Sequence, residues 1–449
     1  MKQNNKFQYS TLTLIVLGIQ LLASLVVAYF TIKINLLPTK YVAIILLVLV
    51  LFFVLFVLVL RGRKDTLGKN IGKIVSLLIS IAMIFVSFQY LQQGDAFLSK
   101  ITGGNIETHV VSVYVLNDSP LQKVEELSGK QVAESKQGET DYLTQAKDDI
   151  NKKLDTPMVV SDVNTYEDLM NALYDGEADA ILLNDSHLSF VELFRQNFST
   201  ETRVLYQYEK TEASNVQPSN KNVTKDTFTI YLSGIDTFGP VSTVSRSDVN
   251  MLLTVNPKTK QILMVSIPRD YYVTLATKKA KDKLTHSGIY GINETIMTVE
   301  NLLSIDIDFY ARVNFTSVTE VVDALGGVTV NSEFAFTTLW NGYKINKGSN
   351  DLNGDQALGF VRERYSLPNG DNDRVKNQQA LLTGILKKAM SPKIITNYSQ
   401  VLNSVSDSLD LSISSNDLSE LIKMQLNDGG NWDIQSYSLK GTGTSSTNT

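Results

Sequence analysis

Two arginines separated by one residue close the segment Gln356-Ala-Leu-Gly-Phe-Val-Arg-Glu-Arg364, where a helical pattern gives out. If the piece after that helix is extended, a period of two places Arg362 and Arg364 on one side and Glu363 on the other. Neighbouring guanidiniums repel unless an anion joins them, and their planar fork pairs with phosphate oxygens. Further on, Asp371, Arg374 and Gln378 recur at i, i+3 and i+7, which is one helical face. Asp371 or Asp373 would cap that helix. Asp236 follows an apolar strand, Arg246 and Asp248 precede another, and Arg269 lies in Ser266-Ile-Pro-Arg-Asp270, where Pro268 ends a strand. Taken singly, each is an ordinary solvated charge or a salt-bridged helix start. Together they put arginines and two carboxylates at strand ends, where ligands of open α/β sheets collect. Such a set suits a phosphate chain.

These groups need a scaffold. Phe228–Leu232 is an apolar strand running into Asp236, and Val249–Val255 and Gln261–Ile267 flank Asn256–Lys260 as a hairpin. Ile289–Leu303 carries Ile289, Ile292, Ile296, Val299 and Leu303 on one helical face. Phe309–Val313 reads as a strand, and Ser317–Leu325 as a helix stopped by Gly326-Gly327. Val328–Val330 is a strand, and Leu352–Phe360 and Asp373–Ala389 are helices. The expected fold class is α/β, a mixed sheet flanked by helices. Upstream, Val110–Leu116, Gln131–Ala133, Tyr166–Tyr174 and Ala178–Leu183 alternate as strand, strand, helix, strand, which describes a smaller α/β accessory domain. It is faintly similar to half of a solute-binding lobe. It carries none of the charged motifs, so the plainer reading is a spacer that is dispensable for chemistry. The polar stretch around Pro218 reads as a linker. The expected boundaries are a membrane anchor at 1–94, the accessory domain at 105–210, a linker at 211–226, the catalytic domain at 227–391 with a helical C-terminal part at 392–440, and a disordered tail at 441–449.

The anchor follows from hydropathy. Apolar runs at Thr11–Phe30, Tyr41–Leu60 and Ile74–Phe88 precede the rest, and about 20 helical residues cross a bilayer core. The transmembrane helices are placed at about 11–30, 41–60 and 71–90. The third run is shorter and begins near a lysine, so an interfacial helix is its alternative. Arg61, Arg63, Lys64, Lys69 and Lys73 crowd the second loop against Asp65 alone. That loop should be cytoplasmic, which places the N-terminus inside and everything beyond residue 95 outside. A cleaved signal peptide fits poorly with two further spans. Beyond residue 94 the chain has an excess of 13 acidic over basic side chains, which disfavours nucleic acid as a partner. There is no cysteine, so neither disulfides nor thiolate metal sites arise. His109, His187 and His286 are too scattered for a metal site or a nucleophilic triad, and no Walker loop is present.

Seven ordered segments resemble the catalytic domain of the LytR–CpsA–Psr family. They are Ser233–Asp236, Arg246–Asp248, Ser266–Asp270, Val313-Asn-Phe315, Val322–Gly327, Val361–Arg364 and Asp371-x-x-Arg374-x-x-x-Gln378-Gln379. The three-span anchor and accessory domain resemble the family's streptococcal capsule-locus branch. One departure is Asn377, where many members carry arginine. The resemblance implies a membrane-bound phosphotransferase with an extracellular catalytic domain. It would move a glycopolymer, such as a capsular polysaccharide, from an undecaprenyl-pyrophosphate carrier to peptidoglycan. A lipid-pyrophosphate-binding regulator and a pyrophosphatase are the alternatives. It further implies that Arg246, Arg269, Arg362, Arg364, Arg374 and Gln378, with Asp371, form the pyrophosphate site. Asp236 and Asp248 would hold Mg²⁺ and act with Arg246 and Arg269 in catalysis. Magnesium takes such carboxylates together with phosphate oxygens and water. The prenyl tail needs an apolar slot, for which the faces of Ile289–Leu303 and Ser317–Leu325 are candidates, with plain core as the alternative. Asp323 and Glu363 are expected to be structural.

The orientation is directly testable. Protease added to intact protoplasts should degrade the chain beyond about residue 95, because the basic second loop stays inside. Full protection of that region would reverse the topology.

Overall fold

A computed structural model describes residues 9–34, 37–62, 66–88, 106–138, 140–214, 216–217, 219–237, 239–391 and 408–443. Three apolar helices come first: α1 (Thr11–Ile34), α2 (Thr39–Val59) and α3 (Leu67–Val86). All three are long and apolar enough to cross a membrane, with mean hydropathies of 2.3, 3.7 and 1.8. The third begins earlier than expected because Thr66 caps it, its hydroxyl accepting from the Lys69 amide. Residues 89 and 90, expected in that span, lie outside the described residues. Val16, Leu17, Phe56 and Leu60 pack the helices together. A buried hydrogen bond from Ser76 to Gln20 (2.8 Å) joins α3 to α1, the kind of polar contact that apolar helices use where lipid offers no partner.

The accessory domain is a five-stranded sheet in the order β3-β2-β4-β1-β5. Its strands are β1 (Ile106–Leu116), β2 (Gln131–Ser135), β3 (Val159–Val163), β4 (Ala180–Asn184) and β5 (Thr202–Ala213). Helix α4 (Thr140–Asn151) covers one face through Leu143, Ala146 and Ile150. Helix α5 (Tyr166–Tyr174) covers the other through Leu169, Met170 and Leu173, and short α6 (Leu188–Phe194) adds Val191. A capping box between Thr165 and Asp168 fixes the start of α5 where the sequence placed it. Strand β5 runs on to Ala213, paired with β1 as far as Ile106. Part of the stretch expected as linker is therefore strand, because an edge-to-edge partner overrides its polar composition.

The larger sheet comprises β6 (Phe228–Ile235), β7 (Ser247–Asn256), β8 (Gln261–Ile267), β9 (Phe309–Val313), β10 (Asp410–Leu411) and β11 (Asp433–Ser438), in the order β10-β9-β6-β7-β8-β11. It is mixed: β6–β7–β8 is antiparallel, while β9 runs parallel to β6 and β11 parallel to β8. The segment expected to be a helical C-terminal part thus contributes two strands around one helix, α11 (Ser415–Asp428). The short, weakly alternating β11 sequence becomes strand by pairing with β8. Residues 392–407 and 444–449, the latter part of the expected tail, lie outside the described residues.

Helix α7 (Ile292–Leu303) covers one face, packing Ile292, Ile296 and Val299 on Tyr231, Leu252 and Tyr310. Three helices gather on the opposite face: α8 (Phe315–Ala324), α9 (Gly354–Arg362) and α10 (Asp371–Ala389). Helix α8 ends before Gly326 and Gly327, both at positive φ (70° and 82°), the left-handed conformation that glycine adopts freely. Helix α9 starts against α8: Asp323 accepts from the Gly354 amide at 2.7 Å, so Asp323 is structural, as read from the sequence. A Cβ on Gly354 would sit 2.8 Å from the Thr319 Cα. Gly354→Ala should force the two helices apart and destabilise the domain by about 1–3 kcal/mol, the usual overpacking cost. Denaturant unfolding measures this, and an unchanged midpoint would mean that the helices shift freely.

Candidate active site

Between the sheet and the three helices lies a cavity of about 840 Å³. Its floor is the side of the sheet that carries Ile230 and Leu232 of β6, Met251 and Leu253 of β7, and Ala311 and Val313 of β9. Val318 and Val321 of α8 line it, as do Leu381, Leu382, Ile385 and Leu386 of α10. Along α10 the apolar positions continue, at helical spacing, a row that starts with Arg374 and Gln378, which also line the cavity. One helix therefore runs from a charged end to an apolar end. The expected slot is real on the α8 side. The expectation for Ile289–Leu303 fails, because α7 is on the other face of the sheet; its amphipathic pattern reports burial and not which layer covers it.

The charged end gathers Asp236, Arg246, Asp248, Arg269, Arg362, Arg364, Arg374 and Gln378. Asp236 and Arg246 bound the loop between β6 and β7, and Asp248 is the second residue of β7. Asp248 accepts from Arg269 (2.9 Å) and from the Thr285 hydroxyl (2.7 Å). Asp236 keeps solvent access and makes no hydrogen bond or ion pair among the described residues. Surrounding protein and then the Asp248 carboxylate raise its pKa above the ordinary value, against the pull of Arg362, Arg246 and Arg269.

The arginines are held from behind. The Arg362 guanidinium lies between the rings of Phe315 (4.2 Å) and Trp340 (4.8 Å), a cation–π arrangement that fixes it without neutralising it. Arg364 lies over Tyr365 at 4.5 Å. Arg374 pairs with Asp371 at 2.6 Å. Burial lowers the Arg374 pKa, Asp371 opposes this, and Arg269 and Arg364 add to the lowering. Nη1 of Arg362 and Nε of Arg269 and Arg374 are buried with no hydrogen-bond partner among the described residues. Arg269 Nε has the Asp270 carboxylate 3.8 Å away. The same three arginines line the cavity, where an anion with several oxygens would offset their charge.

Three sequence expectations change here. Arg362 is the last residue of α9, and extended backbone begins at Glu363; both arginines reach the cavity, but through a helix end and not through strand alternation. Asp371 does not line the cavity and acts on Arg374 instead, since a carboxylate would repel phosphate. Asn377 is buried and donates to the Phe360 carbonyl (3.1 Å), so it packs α10 on α9. Glu363 is structural, as expected, accepting from the amides of Leu339 (2.6 Å), Arg364 (3.0 Å) and Ser366 (2.9 Å). The aromatic supports and Thr285 were not foreseen. Phe315 lies in one of the ordered motifs, whereas Trp340 and Thr285 carry no local signal.

Residues 191–449 match the LytR_cpsA_psr family. The chain belongs to this family. It is 38% identical over 217 residues to the polyisoprenyl-teichoic acid–peptidoglycan teichoic acid transferase TagU of Enterococcus faecalis, covering 48% of this chain and 70% of that one. The corresponding figures for TagU of Bacillus subtilis are 37% over 232 residues, 49% and 70%. Among solved structures, a Streptococcus agalactiae protein aligns with a TM-score of 0.45 at 30% identity, covering 51% of this chain and 83% of that one. The crystal structure of B. subtilis TagU aligns with a TM-score of 0.40 at 36% identity, covering 49% and 87%.

The adjacent glutamines of the LytR–CpsA–Psr motif separate cleanly. Gln378 lines the cavity. Gln379 is buried and donates to the Ser266 hydroxyl (2.8 Å), the Tyr437 carbonyl (2.9 Å) and the Ser438 hydroxyl (3.3 Å). Gln379→Ala should cost about 1–3 kcal/mol of stability and leave pyrophosphate affinity unchanged in the folded protein. Gln378→Ala should do the reverse. Melting curves and ligand titrations of both variants check this; equal effects on both properties would contradict the division.

Proposed function

We propose that this protein is a membrane-anchored phosphotransferase that moves a glycopolymer from a polyprenyl-pyrophosphate carrier to peptidoglycan, with Mg²⁺ as cofactor. The observation that carries the reading is the cavity's split character: Arg246, Arg269, Arg362, Arg364 and Arg374 line one end and continuous apolar surface the other. An amphiphile with a diphosphate head and a hydrocarbon tail matches both. Family membership and the names of the curated relatives support the same class of donor and acceptor. A capsular polysaccharide as cargo and an undecaprenyl carrier follow the streptococcal-branch resemblance. The basic loop between α2 and α3 supports a cytoplasmic N-terminus and an extracellular catalytic domain.

In this mechanism Arg362, Arg364, Arg374, Arg246 and Gln378 bind and orient the pyrophosphate while α10 guides the prenyl chain. The acceptor hydroxyl attacks the sugar-side phosphorus. A new P–O bond forms, the pyrophosphate bridge breaks, and polyprenyl phosphate leaves with the bonding pair. Asp236, with no hydrogen-bond or ion-pair partner among the described residues, is placed to take the hydroxyl proton. Guanidiniums fixed in advance offset charge on the phosphates, the largest contribution in such transfers. The donor set also fits magnesium: two neighbouring carboxylates, one without a hydrogen-bond partner, beside a phosphate site. Among the described residues no group of three or more candidate ligand side chains occurs, so phosphate and water would complete the shell. Asp236 and Asp248 would hold the ion, which supplies further charge compensation.

Arg362→Lys or Arg364→Lys keeps the charge but loses the two-point fork. With charge-assisted hydrogen bonds contributing about 1.5–3 kcal/mol each, affinity for a short-chain prenyl pyrophosphate should fall about tenfold or more in each. Asp248→Ala should end Mg²⁺-dependent cleavage. Calorimetric titration and phosphate release, with folding checked by melting, provide the readouts. Parental affinity in both lysine variants would remove the pyrophosphate assignment.

A further inference from the structure

The accessory domain reads from the sequence as a spacer, yet its first strand enters the catalytic domain. Glu107 of β1 has a largely buried side chain that pairs with Arg312 of β9 at 2.9 Å, and Arg312 is itself buried. The same carboxylate accepts from the Ile292 amide at 2.6 Å. It thereby caps α7, whose own N-cap position is Gly291 with no side-chain cap. Next to it, Thr108 takes the Ser242 carbonyl with its amide (2.9 Å) and receives the Val244 amide on its own carbonyl (2.9 Å). The Thr108 and Ser242 hydroxyls also meet, at 3.0 Å. Arg312 donates to the Ser242 carbonyl as well, at 3.3 Å.

Ser242 and Val244 belong to the loop that joins Asp236 to Arg246. On its other side that loop is held by Asn314, which donates to the Gly239 carbonyl at 2.8 Å, and by the Phe315 amide on the Thr237 carbonyl at 3.2 Å. A second contact reaches the other carboxylate. Phe190 of α6 meets the His286 ring edge-on at 4.8 Å, and His286 adjoins Thr285, the hydroxyl partner of Asp248. The Asp236–Arg246 loop is therefore hydrogen-bonded to the accessory strand, and α6 is in ring contact with the residue next to Thr285.

We propose that Glu107 and Thr108 are positioning residues: the accessory strand, through Arg312 and Ser242, holds the loop that presents Asp236 and Arg246. The proposal rests on the phosphotransferase reading for its kinetic consequence but not for its structural one. In Glu107→Gln the acceptor for Ile292 remains and the charge facing Arg312 is lost, leaving Asp410 as the other anion near that guanidinium. Arg312 is then drawn toward Asp410 and away from the Ser242 carbonyl, which leaves Thr108 to hold the loop on this side.

The test uses the full chain in detergent. Hydrogen exchange of residues 239–246 should quicken by about tenfold in Glu107→Gln, with the rest of the catalytic domain unchanged. Turnover of a short-chain prenyl pyrophosphate should fall by about tenfold. Its KM should rise by no more than about threefold, since Arg246 sits on the loop while Arg362, Arg364 and Arg374 come from other elements. The triple variant Glu107→Gln/Arg312→Met/Asp410→Asn removes the buried charges together and should recover the melting temperature. Its turnover should remain low, because Ser242 has still lost a donor. Recovery of turnover together with the melting temperature would make Glu107 merely structural and overturn the proposal. Unchanged loop exchange in Glu107→Gln would overturn it too. If the parent cleaves no prenyl pyrophosphate, the proposed function fails, and the exchange data alone decide whether the strand holds the loop.

Discussion

Like charge confined at the edge of an apolar cavity is the constraint from which the rest of the catalytic domain follows. Two unit charges about 4 Å apart cost roughly 4 kcal/mol where the effective dielectric is about 20, and several guanidiniums meet here. The protein offsets part of this locally. Asp248 takes Arg269, Asp371 takes Arg374, and aromatic rings flank Arg362. The compensation stays incomplete: each device holds an arginine in the cavity wall without cancelling the charge of the cluster. Pairing every donor within the protein would be more stable and would leave nothing to grip a phosphate.

The same constraint explains why the roof is built from helices. A single helix, α10, passes from Arg374 and Gln378 to Ile385 and Leu386 along one side of the cavity. At 1.5 Å per residue the stretch from Arg374 to Leu386 covers about 18 Å. The charged and apolar ends of the cavity are thus set by one rigid element. Relative placement of the two halves cannot drift, because Asn377 and Gln379 fasten the helix to α9 and to the sheet between the cavity-facing positions.

Much of this was legible in the sequence where local periodicity and chemistry coincide. The β7–β8 hairpin, helix α5 and the cavity-lining residues from Asp236 to Gln378 all appeared from strand ends, helical spacing and ordered motifs. Errors arose where a partner far away in sequence decides the outcome. The apolar face of Ile292–Leu303 announces a buried helix but not the side of the sheet it occupies. Asp433–Ser438 is too polar to announce a strand until β8 lies beside it. Asp371 has the right spacing for the site and the wrong sign of charge to touch its ligand. Glu107 is a lone acidic residue at a strand start, and nothing nearby in the chain indicates that a buried arginine awaits it.

The parallel pairing of Asp433–Ser438 with Gln261–Ser266, stitched by Gln379, has a consequence for the order of assembly. Parallel neighbours so distant in the chain meet late, after the intervening helices have formed and the loop-closure entropy has been overcome. A chain still being synthesised holds the arginines and the helix but lacks the strand against which that helix is fastened. The charged end of the cavity is therefore fixed only at the close of folding, once the strand that fastens α10 is in place.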